Sequence, residues 1–256
     1  MSVPDDVLYE VQGCAAWITL NAPERRNALS APLLEQLEAH LHAAMADEVV
    51  RVAVLTGNGP AFCAGADLKA GGRGAARGGQ RNSFIEILRL IWEGYKPVIA
   101  AVNGHAFGGG LGFMAAADIA IAANTAKFAF SEVRIGVIPA MISVVVLPKL
   151  GVHHAMRLFL TGETFTAADA LGYGLVHRVV EPAALREAAQ AAVDAIALGG
   201  PNAMREVKRL VRLMPRLSAE EGFAYAAEKS ATLFASDEAA EGMSAFAAKR
   251  HPKWAK

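Results

Sequence analysis

Two clusters of small residues carry the residue types that could do chemistry: Phe62-Cys63-Ala64-Gly65-Ala66-Asp67-Leu68 and Gly108-Gly109-Gly110. Residues without bulk leave backbone N–H groups bare, and two such amides converging on one carbonyl oxygen make an oxyanion hole. That device stabilises an enolate or tetrahedral oxyanion without a metal, at about 3 kcal/mol per donor. Glycines also permit tight turns and close packing. Position favours a ligand: each cluster follows a strand-like run, where an α/β sheet presents its crevice. The second also opens a helical segment, adding the positive end of a helix dipole. Neither matches a nucleotide motif, since there is no Gly-x-Gly-x-x-Gly after the first strand and no Gly-Lys-Ser/Thr.

The elements that must position these clusters alternate. Val7 to Val11 and Ala16 to Leu20 predict a hairpin around Gly13, and Ser30 with Pro32 predicts a helix start followed by the stripe Leu33, Leu34, Leu37 and Leu41. Arg51 to Thr56 reads as a buried strand ending at Gly57-Asn58-Gly59-Pro60. Phe84, Ile87, Leu88 and Ile91 recur at helical spacing, and Val98 to Val102, Asp118 to Ala122 and Lys127 to Phe130 read as strands. The segment from Gly108 to Ala117 reads as a buried helix. This is an α/β pattern with a substantially parallel sheet. Past Pro182 the chain turns alanine-rich and helical, over Ala183 to Leu198, Asn202 to Leu213, Ala219 to Phe234 and Asp237 to Ala247. That change divides it into a core, 1–198, and a helical C-terminal region, 199–256.

Composition narrows the partners. With 256 residues, 54% hydrophobic and only 20% charged, the chain can bury a large core and is not disordered. Lys plus Arg (25) equals Asp plus Glu (25), so no broad basic field is available for nucleic acid. The tract Gly71 to Gly79 superficially resembles an RNA-binding RGG segment and reads instead as a loop. Cys14 and Cys63 have neither metal-ligand nor disulfide-scaffold spacing, which suits a reducing cytoplasm. The first residues lack a basic-then-apolar signal pattern, and no apolar run is expected to reach membrane-spanning length, since Pro139 interrupts Val137 to Val146.

Taken in order, Asn21-Ala22-Pro23 with Arg26-Asn27-Ala28-Leu29, the two glycine clusters, Asn103-Gly104-His105-Ala106-Phe107 before the second, Ala117-Asp118-Ile119 and Ser131-Glu132-Val133-Arg134-Ile135-Gly136-Val137-Ile138-Pro139 resemble the enoyl-CoA hydratase/isomerase, or crotonase, superfamily over essentially the whole chain. The resemblance implies a crotonase-like spiral of repeated ββα units followed by a C-terminal helical trimerisation region, a homotrimer or homohexamer, an acyl-CoA substrate and no cofactor, coenzyme A being part of the substrate. It puts Ala66 and Gly109 where the family supplies its two oxyanion amides. It also puts Ala64 and Ala66 through Lys69 (Ala66, Asp67, Leu68, Lys69) along the coenzyme A, Arg26 near the CoA phosphates, and Lys249 where a neighbouring subunit reaches the nucleotide end.

Hydratases of this family generally use two glutamates to hold and activate water. The second matches Glu132; the first falls at Gly112, which cannot transfer a proton. The resemblance therefore implies an enoyl-CoA hydratase with Glu132 as the remaining acid/base. The alternatives are a Δ3–Δ2 enoyl-CoA isomerase using Glu132 alone and a non-catalytic acyl-CoA-binding homologue. The stretch Gly110-Leu111-Gly112-Phe113 with Ile138 to Ser143 is similar to a methylglutaconyl-type hydratase subgroup, which tips the expectation to hydration. Residues of the acyl end are expected from Ser83 to Leu90 and Met141 to Val145. His105, Asp118, Asp169 and Cys63 read as structural, His153-His154 as surface residues opening a helix after Gly151, and Ser131 lacks the partners of a nucleophile.

Overall fold

The computed structural model describes residues 5–67 and 82–255. The hairpin forms as antiparallel β1 (Val7–Gln12) and β2 (Ala15–Leu20). Helix α1 (Ala31–Ala46) begins at Ser30, whose side chain accepts from the Leu33 N–H, and the leucine stripe faces inward.

Three turns of strand, strand and helix follow. The first is β3 (Val52–Gly57), β4 (Ala61–Cys63) and α2 (Ser83–Glu93); the second β5 (Val98–Val102), β6 (His105–Phe107) and α3 (Gly109–Ala116); the third β7 (Ile119–Ala123), β8 (Lys127–Ala129) and α4 (Ala140–Thr161). Then come β9 (Thr164–Thr166), α5 (Ala167–Gly172) and β10 (Arg178–Val180). The first strand of every turn joins a six-stranded sheet, β1-β2-β3-β5-β7-β10, and the second joins a four-stranded sheet, β4-β6-β8-β9. The mixed α/β spiral implied by the motifs is the fold observed. One detail differs from expectation. The strands that directly deliver the two glycine clusters are β4 and β6 of the small sheet, not the long apolar runs β3 and β5.

Burial explains why the large sheet's strands read as unbroken apolar runs. Ala16, Ile18, Ala53, Leu55, Val98 and Ala100 enter the main core, while the alternate residues Ala15, Trp17, Val52, Val54 and Ile99 meet Leu185, Ala188, Ala189 and Val193 of α6 (Leu185–Ala197) on the opposite face. Helices α7 (Pro201–Leu213), α8 (Ala219–Phe234) and α9 (Asp237–Ala247) complete the chain. Asp118 braces α7, accepting from Lys208 and Arg212 at 2.7 Å each, with Arg212 also stacked over Trp92. Asp169 closes a capping box with Thr166. Both aspartates are structural, as expected.

Helix α4 corrects the expectation about spanning length. It has 22 residues and enough apolar character to cross a membrane by composition. Its backbone is broken at Gly151 (φ 70, ψ 161), with Pro148 inside, so it is two shorter helices in sequence.

Candidate active site

The small sheet builds the site. β4, β6 and β8 are adjacent and mutually parallel, so their C-terminal ends lie side by side. Ala66 follows β4 by three residues, Gly109 follows β6 by two, and Glu132 follows β8 by three. Successive turns of the spiral thus bring residues far apart in sequence to one edge.

The Ala66 loop is held by a buried asparagine. Asn27 is 0% exposed; its Oδ1 accepts from the Ala22 N–H at 2.8 Å, and its Nδ2 donates to the carbonyls of Asn58, Ala61 and Phe62. Beside it, the Ala64 N–H donates to Arg26 O at 3.0 Å, and the Leu29 N–H donates to Gly65 O at 2.8 Å. Leu29 and Ala66 form a parallel bridge. Gly65 (φ +85) lies against the β6–α3 junction: a Cβ there would sit 2.9 Å from Phe107 O and 3.6 Å from Gly109 N. Ala66 is exposed, and among the described residues no protein acceptor is paired with its N–H.

Gly109 is the first residue of α3, an almost wholly buried helix whose N-cap, Gly108, carries no side chain to satisfy the first turn. Its leading N–H groups therefore remain available, with the positive end of the helix dipole behind them. Leu29 and Phe84 flank Gly109 so closely that a Cβ there would lie 2.6 Å from Leu29 Cδ1 and 3.1 Å from Phe84 Cε2. Phe84 in turn packs on Phe113, ring centroids 5.2 Å apart.

Glu132 lies on the one-turn 3-10 helix Ser131–Ile135. A Cβ on Gly108 would be 3.1 Å from its Oε1, so the carboxylate rests over the backbone that leads into Gly109. Its Oε2 is buried with no hydrogen-bond partner among the described residues. Burial pushes the carboxyl above its ordinary value, and its own backbone N–H offsets part of that. The neighbouring Arg134 does not pair with it; its guanidinium reaches Thr161 O at the end of α4.

Position 112 is closed. A Cβ on Gly112 would overlap Ile142 Cγ2 and come within 3.1 Å of Ile142 Cβ, with Leu88 Cδ2 at 3.6 Å. No carboxylate fits beside α3 here. The two stretches expected at the acyl end thus meet over this helix through Phe84, Leu88 and Ile142, and Asn82 Nδ2 lies 3.6 Å from Met141 Sδ.

The other candidates scatter. Ala64 and Asp67 are half-buried in the Ala66 loop, whereas Leu68, Lys69 and the tract Gly71 to Gly79 lie outside the described residues. Arg26 is exposed, with a left-handed backbone (φ 54). Lys249 is exposed past the end of α9, where hydrogen bonds tie the chain terminus to Arg51 and Leu198. His105 Nδ1 accepts from the Lys127 N–H, a structural bond between strands. Burial pushes the Cys63 thiol up to about 12, which removes it as a nucleophile. No group of three or more His, Cys, Asp or Glu is placed to hold a metal among the described residues. Asn27, Gly108 and Ile142 lie in stretches that the sequence singles out, but what each does is defined by a neighbour distant along the chain.

A sequence model described as Enoyl-CoA hydratase/isomerase matches residues 10–256. The chain belongs to the enoyl-CoA hydratase/isomerase family. It is 40% identical over 247 residues to a probable enoyl-CoA hydratase of Rhizobium meliloti, covering 96% of each chain. It is 34% identical over 255 residues to the (E)-benzylidenesuccinyl-CoA hydratase of Thauera aromatica, covering 96% of this chain and 97% of that one. Among solved structures, an enoyl-CoA hydratase/isomerase from Marinobacter aquaeolei superposes with a TM-score of 0.90 at 35% identity, over 98% and 99% of the two chains.

Proposed function

We propose that this family member is an enoyl-CoA hydratase in which the N–H groups of Ala66 and Gly109 hold the thioester oxygen and Glu132 performs every proton transfer. The observation that carries the reading is the buried, unpartnered Oε2 of Glu132 beside the open first turn of α3. A desolvated carboxylate with no cation paired to it among the described residues is poised to take a proton. In the forward direction the water oxygen bonds to the carbon β to the thioester while the double-bond electrons move into the enolate. The water proton passes to Glu132, which then gives it to the α carbon as the enolate collapses. One carboxylate suffices, and no cofactor enters the balance. The hydratase names of the relatives above favour this reading.

A second reading rests on the closed position 112. A single carboxylate in an apolar pocket also suits Δ3–Δ2 isomerisation, in which Glu132 removes the α proton of a 3-enoyl thioester and returns it to the γ carbon. Incubation with crotonyl-CoA and, separately, with a 3-enoyl-CoA tests both. Loss of conjugated thioester absorbance with the first reports hydration, and its gain with the second reports isomerisation. Silence with both favours a non-catalytic acyl-CoA binder or an acyl group outside the two tried.

The working protein is proposed to be a homotrimer or homohexamer in a reducing cytoplasm. In support, α8 is a 16-residue helix with no buried residue in the single chain, and Phe246 of α9 is 87% exposed. Helices of that length are marginal in water without a packed face. The two cysteines are free thiols. Sedimentation of a monomer would contradict the assembly.

A further inference from the structure

We infer that Asn103 is a positioning residue that sets the offset between the Ala66 and Gly109 amides, an inference that rests on the acyl-CoA reading above. These amides follow β4 and β6, strands of three residues each. The parallel pairing of the two strands is irregular. Ala61 pairs with His105 and Cys63 with Ala106, so Phe62 is an extra residue on the β4 side. A ladder this short and bulged specifies the offset of its strands weakly. The offset is held instead at the heads of both strands, where the β3–β4 turn meets the β5–β6 link.

Asn103 occupies that meeting point. Its Oδ1 accepts from the Gly57 N–H at 3.1 Å, and its Nδ2 donates to Gly59 O at 2.9 Å and to Ala61 O at 3.4 Å. One side-chain amide thus grips both ends of the turn and the first residue of β4, while its own backbone lies two residues before β6. The two segments touch beside it, since a Cβ on Gly104 would overlap Pro60 O, and the His105 N–H donates to that same oxygen at 3.4 Å. Ala61 O also accepts from Asn27 Nδ2 at 2.8 Å. Asn27 ties the head of β4 to the segment before α1. Of the two asparagines, only Asn103 ties it to the strand that leads to Gly109.

The test uses acetoacetyl-CoA, a β-keto thioester with no double bond to hydrate. Breaking its α C–H bond sends the proton to buffer and leaves the electron pair spread over the two carbonyl oxygens. This enolate absorbs in the near ultraviolet, where the keto form is transparent. Amides set to hold a developing oxyanion favour it, so the band of the bound ligand reads their geometry without turnover. Asn103→Ala removes the whole clip, and Asn103→Asp keeps the acceptor for Gly57 while losing both donations. Thr56→Val is the control: Thr56 Oγ1 donates to Ala101 O at 2.7 Å, a bond between β3 and β5 that does not touch β4. The band of the bound ligand is expected to fall about tenfold in both Asn103 variants and to stay unchanged in Thr56→Val. With crotonyl-CoA or a 3-enoyl-CoA, kcat should fall in step while KM changes little. An undiminished band in a folded Asn103 variant, or an equal loss in Thr56→Val, overturns the inference and leaves the functional reading intact. So does loss of folding in both Asn103 variants, read by circular dichroism, which would assign the residue to stability. An unmodified protein that shows no band overturns the proposed oxyanion amides and this inference together.

Discussion

The Oε1 of Glu132 rests 3.1 Å from the point a Cβ on Gly108 would occupy, so the carboxylate uses the space that a missing side chain leaves. Gly108 also adopts φ 48, ψ −115, a conformation that side chains with a Cβ rarely reach. One glycine therefore sets two things: the turn that starts α3 at Gly109 and the resting place of Glu132.

Gly108→Ala is expected to move both. A displacement of about 1 Å at a catalytic group costs about a hundredfold. Steady-state kinetics with crotonyl-CoA should show the loss in kcat, with KM changing much less, because the Ala66 loop, proposed to contact the CoA, hangs chiefly from Asn27. An alanine variant with unchanged kcat would exclude this placement of the carboxylate.

Glu132→Gln is expected to lower activity by about 10²–10⁴-fold, the range for a lost acid/base. In the unmodified enzyme the ionised carboxylate is the form that starts either reaction. Since burial raises its pKa, the acid-side fall of kcat/KM should lie above the 4.5 ordinary for glutamate. The stability consequence has the opposite sense. A carboxyl with a raised folded-state pKa favours the fold below its unfolded pKa, and that contribution is lost as pH rises through the folded value. At neutral pH the glutamine variant should therefore melt at a higher temperature than the unmodified protein. A lower melting temperature would mean that Glu132 has a stabilising partner.

Asn27→Ala removes an Oδ1 acceptor and an Nδ2 donor shared among three carbonyls, all at a site with no exposure. Losing this set should cost about 3 kcal/mol, measured as a shift of the urea midpoint. Asn27→Asp should be no milder, because it turns a carboxylate oxygen toward those carbonyls. The Ala66 loop hangs from this residue, so activity should fall at temperatures where the variants remain folded.

Lys149 donates to Ala117 O at 2.6 Å, and burial pushes its pKa down to about 8. Between that value and the 10.5 of an ordinary lysine, the unfolded chain binds more protons than the native one. Stability carried by this group therefore rises with pH across the window and is lost as pH falls through about 8. Lys149→Met should flatten that part of the stability–pH curve, read from denaturant melts between pH 7 and pH 10. An unchanged slope would show that Lys149 titrates normally.

Much of the fold is legible along the chain. The capping Ser30, the leucine stripe of α1, the stripe Phe84, Ile87, Leu88 and Ile91, and the apolar runs Val52 to Gly57 and Val98 to Val102 each reflect a local rule of period or capping. The four-stranded sheet is legible only at Lys127 to Phe130, which becomes β8. β4, β6 and β9 have three residues each, too few to show an alternation, so the two strands that lead to Ala66 and Gly109 had to be found in space. Of the candidate residues, Ala66, Gly109 and Glu132 follow three adjacent strands of one sheet, while Arg26 and Lys249 are exposed, without contacts that identify a role in a single chain.

What the sequence determines by itself is which chemistry is available: small residues that bare two amides, a glutamate within a recognisable motif, and a glycine where a second acid would stand. These are matters of residue type, and residue type needs no coordinates. Tertiary structure alone decides what surrounds them. That Glu132 Oε2 has no partner among the described residues, that Asn27 holds the Ala66 loop, and that Ile142 fills the space beside Gly112 all depend on segments brought together by separate turns of the spiral. Packing between such segments is set by the whole core and leaves no local pattern to read.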